Sequence, residues 1–118
     1  MTRFYYVILI SLPIIVYYIC KAEYYANNRE RYDEDTCYRL AKNIVNWVKR
    51  NARVKTISYG EENLPDEGGY IMYSNHQGRY DAIGIISAHD KPCSVVMDSE
   101  RSKLPIAKQV VDLLCGVR

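Results

Sequence analysis

Hydrophobic and polar positions alternate with three different rhythms along the chain. Phe4 to Cys20 is a run of seventeen uncharged residues between Arg3 and Lys21. As a helix it is about 26 Å long, just short of a hydrocarbon core of about 30 Å. Tyrosine pairs at Tyr5-Tyr6 and Tyr17-Tyr18 are placed as interfacial belts, and Pro13 is tolerated in such a helix. The run predicts a membrane helix that either spans or dips into one leaflet. A cleaved signal peptide is the rival, but no small-x-small cleavage site follows. Lys21 to Asp35 is polar and tyrosine-rich, a helix continuation or a linker. A helical period then sets in, with Cys37, Leu40, Ala41, Ile44, Val45, Trp47 and Val48 at three- and four-residue steps and Arg39, Lys42, Lys49 and Arg50 between them. This basic amphipathic helix suits either a membrane surface or a domain core.

Beyond it the rhythm shortens. Val54 to Tyr59 alternates and is rich in β-branched residues, which predicts a strand. Gly60 to Gly69 carries Pro65, Asp66 and a Gly-Gly pair, a turn by composition. Tyr70 to Ser74 predicts a second strand, Asp81 to Ala88 a short apolar helix, and Cys93 to Met97 a third strand after Lys91-Pro92. Pro105 opens a last helix to about Cys115, with Ile106, Val110, Leu113 and Leu114 on one face and Gly116 as its stop. The expected fold is therefore α/β: an N-terminal membrane helix, an amphipathic helix, then a partial sheet with flanking helices. The corresponding division is 1–21 as anchor, 22–52 as linker and amphipathic helix, and 53–118 as the folded unit.

Charge sharpens this picture. The chain of 118 residues carries a net +2. Residues 1–60 hold ten Lys/Arg against five Asp/Glu, and residues 61–118 hold six against nine. The basic half adjoins the apolar run, which suits an anionic membrane surface better than nucleic acid and places the rest of the chain on the cytoplasmic side. Cys20, Cys37, Cys93 and Cys115 show no C-x-x-C pairing and no metal-like spacing with His76 or His89, so they read as reduced thiols. His89 reads as a helix-end residue complementing the dipole.

The candidate chemistry lies in Ser74-Asn75-His76-Gln77-Gly78-Arg79-Tyr80-Asp81. On a continuous strand His76 and Asp81 stand about 16 Å apart; on one helix they are about 140° apart around the axis. Only a bend brings imidazole and carboxylate together, and Gln77-Gly78 is the place for one. A carboxylate that fixes the tautomer of a histidine and stabilises its imidazolium makes a general base. By spacing alone a surface histidine followed by a helix-capping aspartate is the commoner outcome.

With Asn75, His76 and Asp81 matching N-H-x-x-x-x-D, and with Gly60-Glu61-Glu62-Asn63-Leu64-Pro65 leading into the strand before it, the sequence from about Ile44 to Arg118 resembles the glycerolipid acyltransferases, typified by 1-acylglycerol-3-phosphate (lysophosphatidic acid) acyltransferase. The resemblance implies a glycerolipid-acyltransferase-like sheet and transfer of an acyl group from acyl-CoA or acyl-carrier protein to a lysophospholipid hydroxyl in phospholipid biosynthesis, with no cofactor and no metal. It assigns His76 as base and Asp81 as its orienting carboxylate, and leaves Arg79 as a possible phosphate contact. Membrane phospholipid and lysophosphatidic acid are the implied partners. The family's later E-G-T-R-S block has no counterpart: Glu100-Arg101-Ser102 lacks the glycine and lies too close to His76. The expectation is therefore an N-terminal portion of such an enzyme. A non-catalytic, membrane-anchored remnant or interaction module is the alternative. A hydrolase is remote, because no G-x-S-x-G elbow is present.

Overall fold

The structure, a computed structural model, describes every residue except Met1, His76 and Arg79, and leaves out the side chains of Arg3, Phe4, Val7 and Ile8 as well. Its described residues form four α-helices, α1 (Thr2–Asn27), α2 (Glu34–Asn51), α3 (Asp81–Ala88) and α4 (Ala107–Leu113), with short 3-10 turns at Glu61–Asn63 and Arg101–Lys103.

α2 is the organising element, and its ends explain why it forms. Asp33 accepts a hydrogen bond of 2.8 Å from the Thr36 amide, which satisfies one of the donors left open at a helix start. That bond also holds the Asp33 carboxyl below its ordinary range. Glu34 and Asp35 occupy the first turn and Lys49 and Arg50 the last, each sign complementing the helix dipole. At the exit the Val54 amide bonds to the Lys49 carbonyl and the Arg53 amide to the Arg50 carbonyl, at 3.0 and 3.1 Å. This is a Schellman turn with Arg53 in the left-handed conformation, φ 56°.

The periodic stripe of α2 packs inward. Cys37, Leu40, Ala41, Ile44 and Val45 are buried, joined by Tyr38, and they meet Ala22 of α1, Ile86 of α3 and Val110, Leu113 and Leu114 in one core. The two readings of this amphipathic helix are thus resolved in favour of the core. Lys42 turns to Asp90 and the His89 carbonyl, and Lys49 to Ser87, so part of the basic face is engaged by the chain itself.

The α/β expectation is overturned. No sheet forms among the described residues; the single β-bridge joins Val96 to Val117 in parallel sense. A strand is stabilised by a neighbouring strand that pairs with its amides, and among the described residues none pairs with the segments 54–59 and 70–74: Tyr59 and Tyr73 are 88% and 92% exposed. The expected membrane helix is overturned as well. Among the described residues no helix is long and apolar enough to cross a membrane. The apolar run of α1 is short, is interrupted by tyrosines and Pro13, and continues in the same helix into a polar segment up to Asn27 that packs against α2 and α4.

α4 begins two residues later than Pro105 suggests, behind Ile106, whose φ is 72°; the Ile106 amide is held by Gln109 Oε1 at 2.8 Å. It ends in a second Schellman turn, Gly116 amide to Val111 carbonyl at 2.8 Å and Cys115 amide to Asp112 carbonyl at 3.3 Å. The left-handed residue is Cys115, φ 52°, rather than Gly116. Gly116 serves a different need: a Cβ there would lie 2.6 Å from Val111 Cγ1 and 3.0 Å from the Val95 carbonyl. Arg29, just past α1, donates to the Asp112 and Leu113 carbonyls at the end of α4 and so ties the two helices together.

Candidate active site

The candidate site is built at the N-terminus of α3. Asp81 is its first residue, where a carboxylate is favoured by the dipole. Its Oδ2 accepts from the Gln77 amide at 2.6 Å and the Gly78 amide at 3.0 Å. Asp81 thus closes a turn over Gln77 and Gly78. His76 and Arg79, the expected base and the possible phosphate contact, lie outside the described residues. Ser74 and Asn75 are exposed beside the turn.

Two hydroxyl contacts brace this corner. The Tyr80 hydroxyl bonds to the Thr56 hydroxyl, pinning the residue before Asp81 to the segment that follows α2. Tyr70, six positions before His76, places its hydroxyl 2.8 Å from His89 Nε2 at the far end of α3. His89 is buried, caps α3, and its Nδ1 lies 2.6 Å from the Lys91 carbonyl. A carbonyl only accepts, so Nδ1 carries the proton, and in the neutral ring Nε2 receives the tyrosine hydroxyl. Both nitrogens of His89 are thus occupied, which removes it as a rival base. Its position at a helix end was legible in the sequence. The Tyr70 partnership was not, because nothing in a nineteen-residue separation marks it.

Behind α3, Tyr38 donates to the His89 carbonyl at 2.8 Å and lies 3.6 Å from Cys93 Sγ. Burial, reinforced by Cys93, pushes its hydroxyl far above the ordinary tyrosine range, so it remains a neutral brace. A cavity of about 390 Å³ opens nearby between Arg29, Tyr32, Tyr38, Cys93, Leu114 and Cys115. Among the described residues none from 54 to 91 lines it, so it stands apart from Gln77, Gly78 and Asp81. Among the described residues no group of three His, Cys, Asp or Glu side chains is placed to hold a metal ion.

Comparison with known proteins gives one family. A family model described as Acyltransferase matches residues 55–117, which covers the 76–81 turn, α3 and α4. No curated protein and no solved structure matches the chain.

Proposed function

The chain belongs to the acyltransferase family, and on that premise we propose that it moves an acyl group from a thioester donor, acyl-CoA or acyl-carrier protein, to the hydroxyl of a lysophospholipid. Lysophosphatidic acid is the acceptor of this reading, which places the reaction in phospholipid biosynthesis at a membrane, on its cytoplasmic side. In the proposed step His76 takes the proton of the acceptor hydroxyl as its oxygen attacks the thioester carbonyl. The tetrahedral intermediate then collapses with loss of the C–S bond, and the imidazolium returns its proton to the leaving thiolate. Asp81 orients the ring and offsets its charge. No covalent acyl-enzyme is invoked.

The observation that carries this reading is the closure of the turn by Asp81. Its carboxylate lies 2.6 Å from the amide of Gln77, the residue joined directly to His76. The same bonds also favour a second reading, since a turn aspartate with no catalytic role makes them too: a non-catalytic remnant or interaction module in which His76 and Asp81 are inherited structure. Thiol release from acyl-CoA in the presence of lysophosphatidic acid separates the two. On the first reading His76→Ala abolishes turnover, and Asp81→Asn lowers it by about 10²- to 10⁴-fold. Turnover that survives His76→Ala rules the proposed base out, and a wild-type chain with no turnover selects the second reading.

A further inference from the structure

The cavity of about 390 Å³ brings two thiols together at its border: Cys93, half-buried, and Cys115, exposed. Cys20 and Cys37 do not border it. The bridge between Val96 and Val117 explains the meeting. The Val117 amide donates to the Val95 carbonyl and the Met97 amide to the Val117 carbonyl, each at 2.9 Å, which fixes a parallel register. Counted back two residues, that register sets Cys115 opposite Ser94, and the Ser94 hydroxyl donates to the Cys115 carbonyl at 3.0 Å. Cys93 is the next residue along. With neighbouring chains about 4.8 Å apart and a rise of about 3.3 Å per residue, the two cysteine Cα atoms stand about 6 Å apart, inside the range that a disulfide spans. Adjacent positions of a regular strand face opposite sides. Cys115 escapes that alternation as the left-handed residue of its turn, φ 52°.

Their surroundings give the two thiols unequal roles. Cys115 is the reachable one, and the Arg29 guanidinium borders the same cavity at the same end of α4. Of the carboxylates there, Asp33 is committed to the Thr36 amide and Glu34 is exposed. The Cys93 thiol is turned inward and donates to the Tyr38 hydroxyl at 3.6 Å. An accessible thiol with a second one beside it is the arrangement that responds to oxidants. We propose that Cys93 and Cys115 form an oxidation site, reduced at rest and closed to a disulfide by a peroxide. The Cys115 thiolate attacks the peroxide, so that an S–O bond forms as the O–O bond breaks and hydroxide leaves. The Cys93 sulfur then attacks the resulting sulfenic acid: the S–S bond forms, the S–O bond breaks, and the departing oxygen leaves as water with the Cys93 proton. Both sulfurs are oxidised, the peroxide is reduced, and a dithiol reductant reverses the bond. The disulfide ties the end of α4 to the 93–97 segment and staples the Val96–Val117 bridge. Cys37 does not compete, because it is wholly enclosed. This inference goes beyond acyl transfer and needs no turnover, so its failure leaves the reading of His76 and Asp81 untouched.

Peptide mapping by mass spectrometry, on the whole unaltered chain after brief treatment with hydrogen peroxide, tests it. The expected result is an intramolecular disulfide between Cys93 and Cys115 that dithiothreitol reverses. The oxidised chain is expected to unfold at a midpoint roughly 10 °C higher than the reduced one. Cys93→Ser leaves Cys115 without its partner, so its sulfenic acid accumulates and dimedone labels it about tenfold more than in the unaltered chain. Circular dichroism checks that this variant keeps its helices; should it lose them, Cys93→Ala replaces it, and the map of the unaltered chain decides without either. A disulfide through Cys37 or Cys20 in place of this pair overturns the proposal. So does Cys115 driven to sulfinic acid while Cys93 stays a thiol, equal dimedone labelling with and without Cys93, or an unchanged midpoint.

Discussion

Arg53 and Cys115 hold the same backbone state at equivalent points, the left-handed residue of a Schellman turn, and neither is the glycine that the state favours. For a side-chain-bearing residue this conformation costs on the order of 1 kcal/mol. The Arg53 side chain is exposed, so little is lost on removing it. Arg53→Gly is expected to stabilise the chain by about 0.5–1 kcal/mol, read as a higher midpoint in thermal or urea unfolding; an unchanged or lower midpoint contradicts this. The sequence reading set the stop of the last helix on Gly116 because glycine is the usual left-handed residue. Cys115 takes that conformation, and Gly116 is needed for its missing side chain, since Val111 leaves a Cβ no room. Propensity marked the right neighbourhood. The choice between adjacent residues was made by a contact between α4 and the 93–97 segment that no local pattern records.

Helices were legible wherever their period was backed by a buried partner. The stripe of α2 predicted its core face almost residue by residue, and α3 spans the expected Asp81–Ala88. Segments read as strands were not, because neither the alternation at Val54 to Tyr59 nor the apolar run from Tyr70 supplies a neighbour to pair with. Where a neighbour exists, at Val96 and Val117, a bridge forms. Of the candidate site, the turn at Gln77-Gly78 is closed by Asp81, while His76 lies outside the described residues; the braces at Thr56 and His89 come from distant segments. Arg29 tests element packing most directly, since one guanidinium caps the last carbonyls of α4 from the end of α1. Arg29→Ala removes charge-assisted bonds and is expected to cost about 1.5–3 kcal/mol of stability. Arg29→Lys, with a single ammonium in place of the fork, should recover only part of it. Full stability in Arg29→Ala denies the contact any role in docking α4.

At the scale of the molecule the packing is open. The surface is 9070 Å², against about 6,600 Å² for a compact monomer of this mass. The radius of gyration is 15.1 Å, against about 13.5 Å for this length. Much of the excess lies in the exposed turns of α1 and the unpaired segments 54–59 and 70–75. The core that remains is the meeting of α1, α2 and α4, with one turn of α3. The four thiols happen to sample this gradient: Cys20 and Cys115 face solvent, Cys93 is half-buried, and Cys37 is wholly enclosed, with burial pushing its thiol pKa up. In an alkylation time course Cys20 and Cys115 should therefore modify first. Cys37 should lag Cys20 by about two to four orders of magnitude, the range expected if its exposure requires a small core to open. Equal rates would mean that no such core persists in solution. The chain thus carries an internal clock: the interval between its first and last modified cysteine reads out how often α2 lets go of its neighbours.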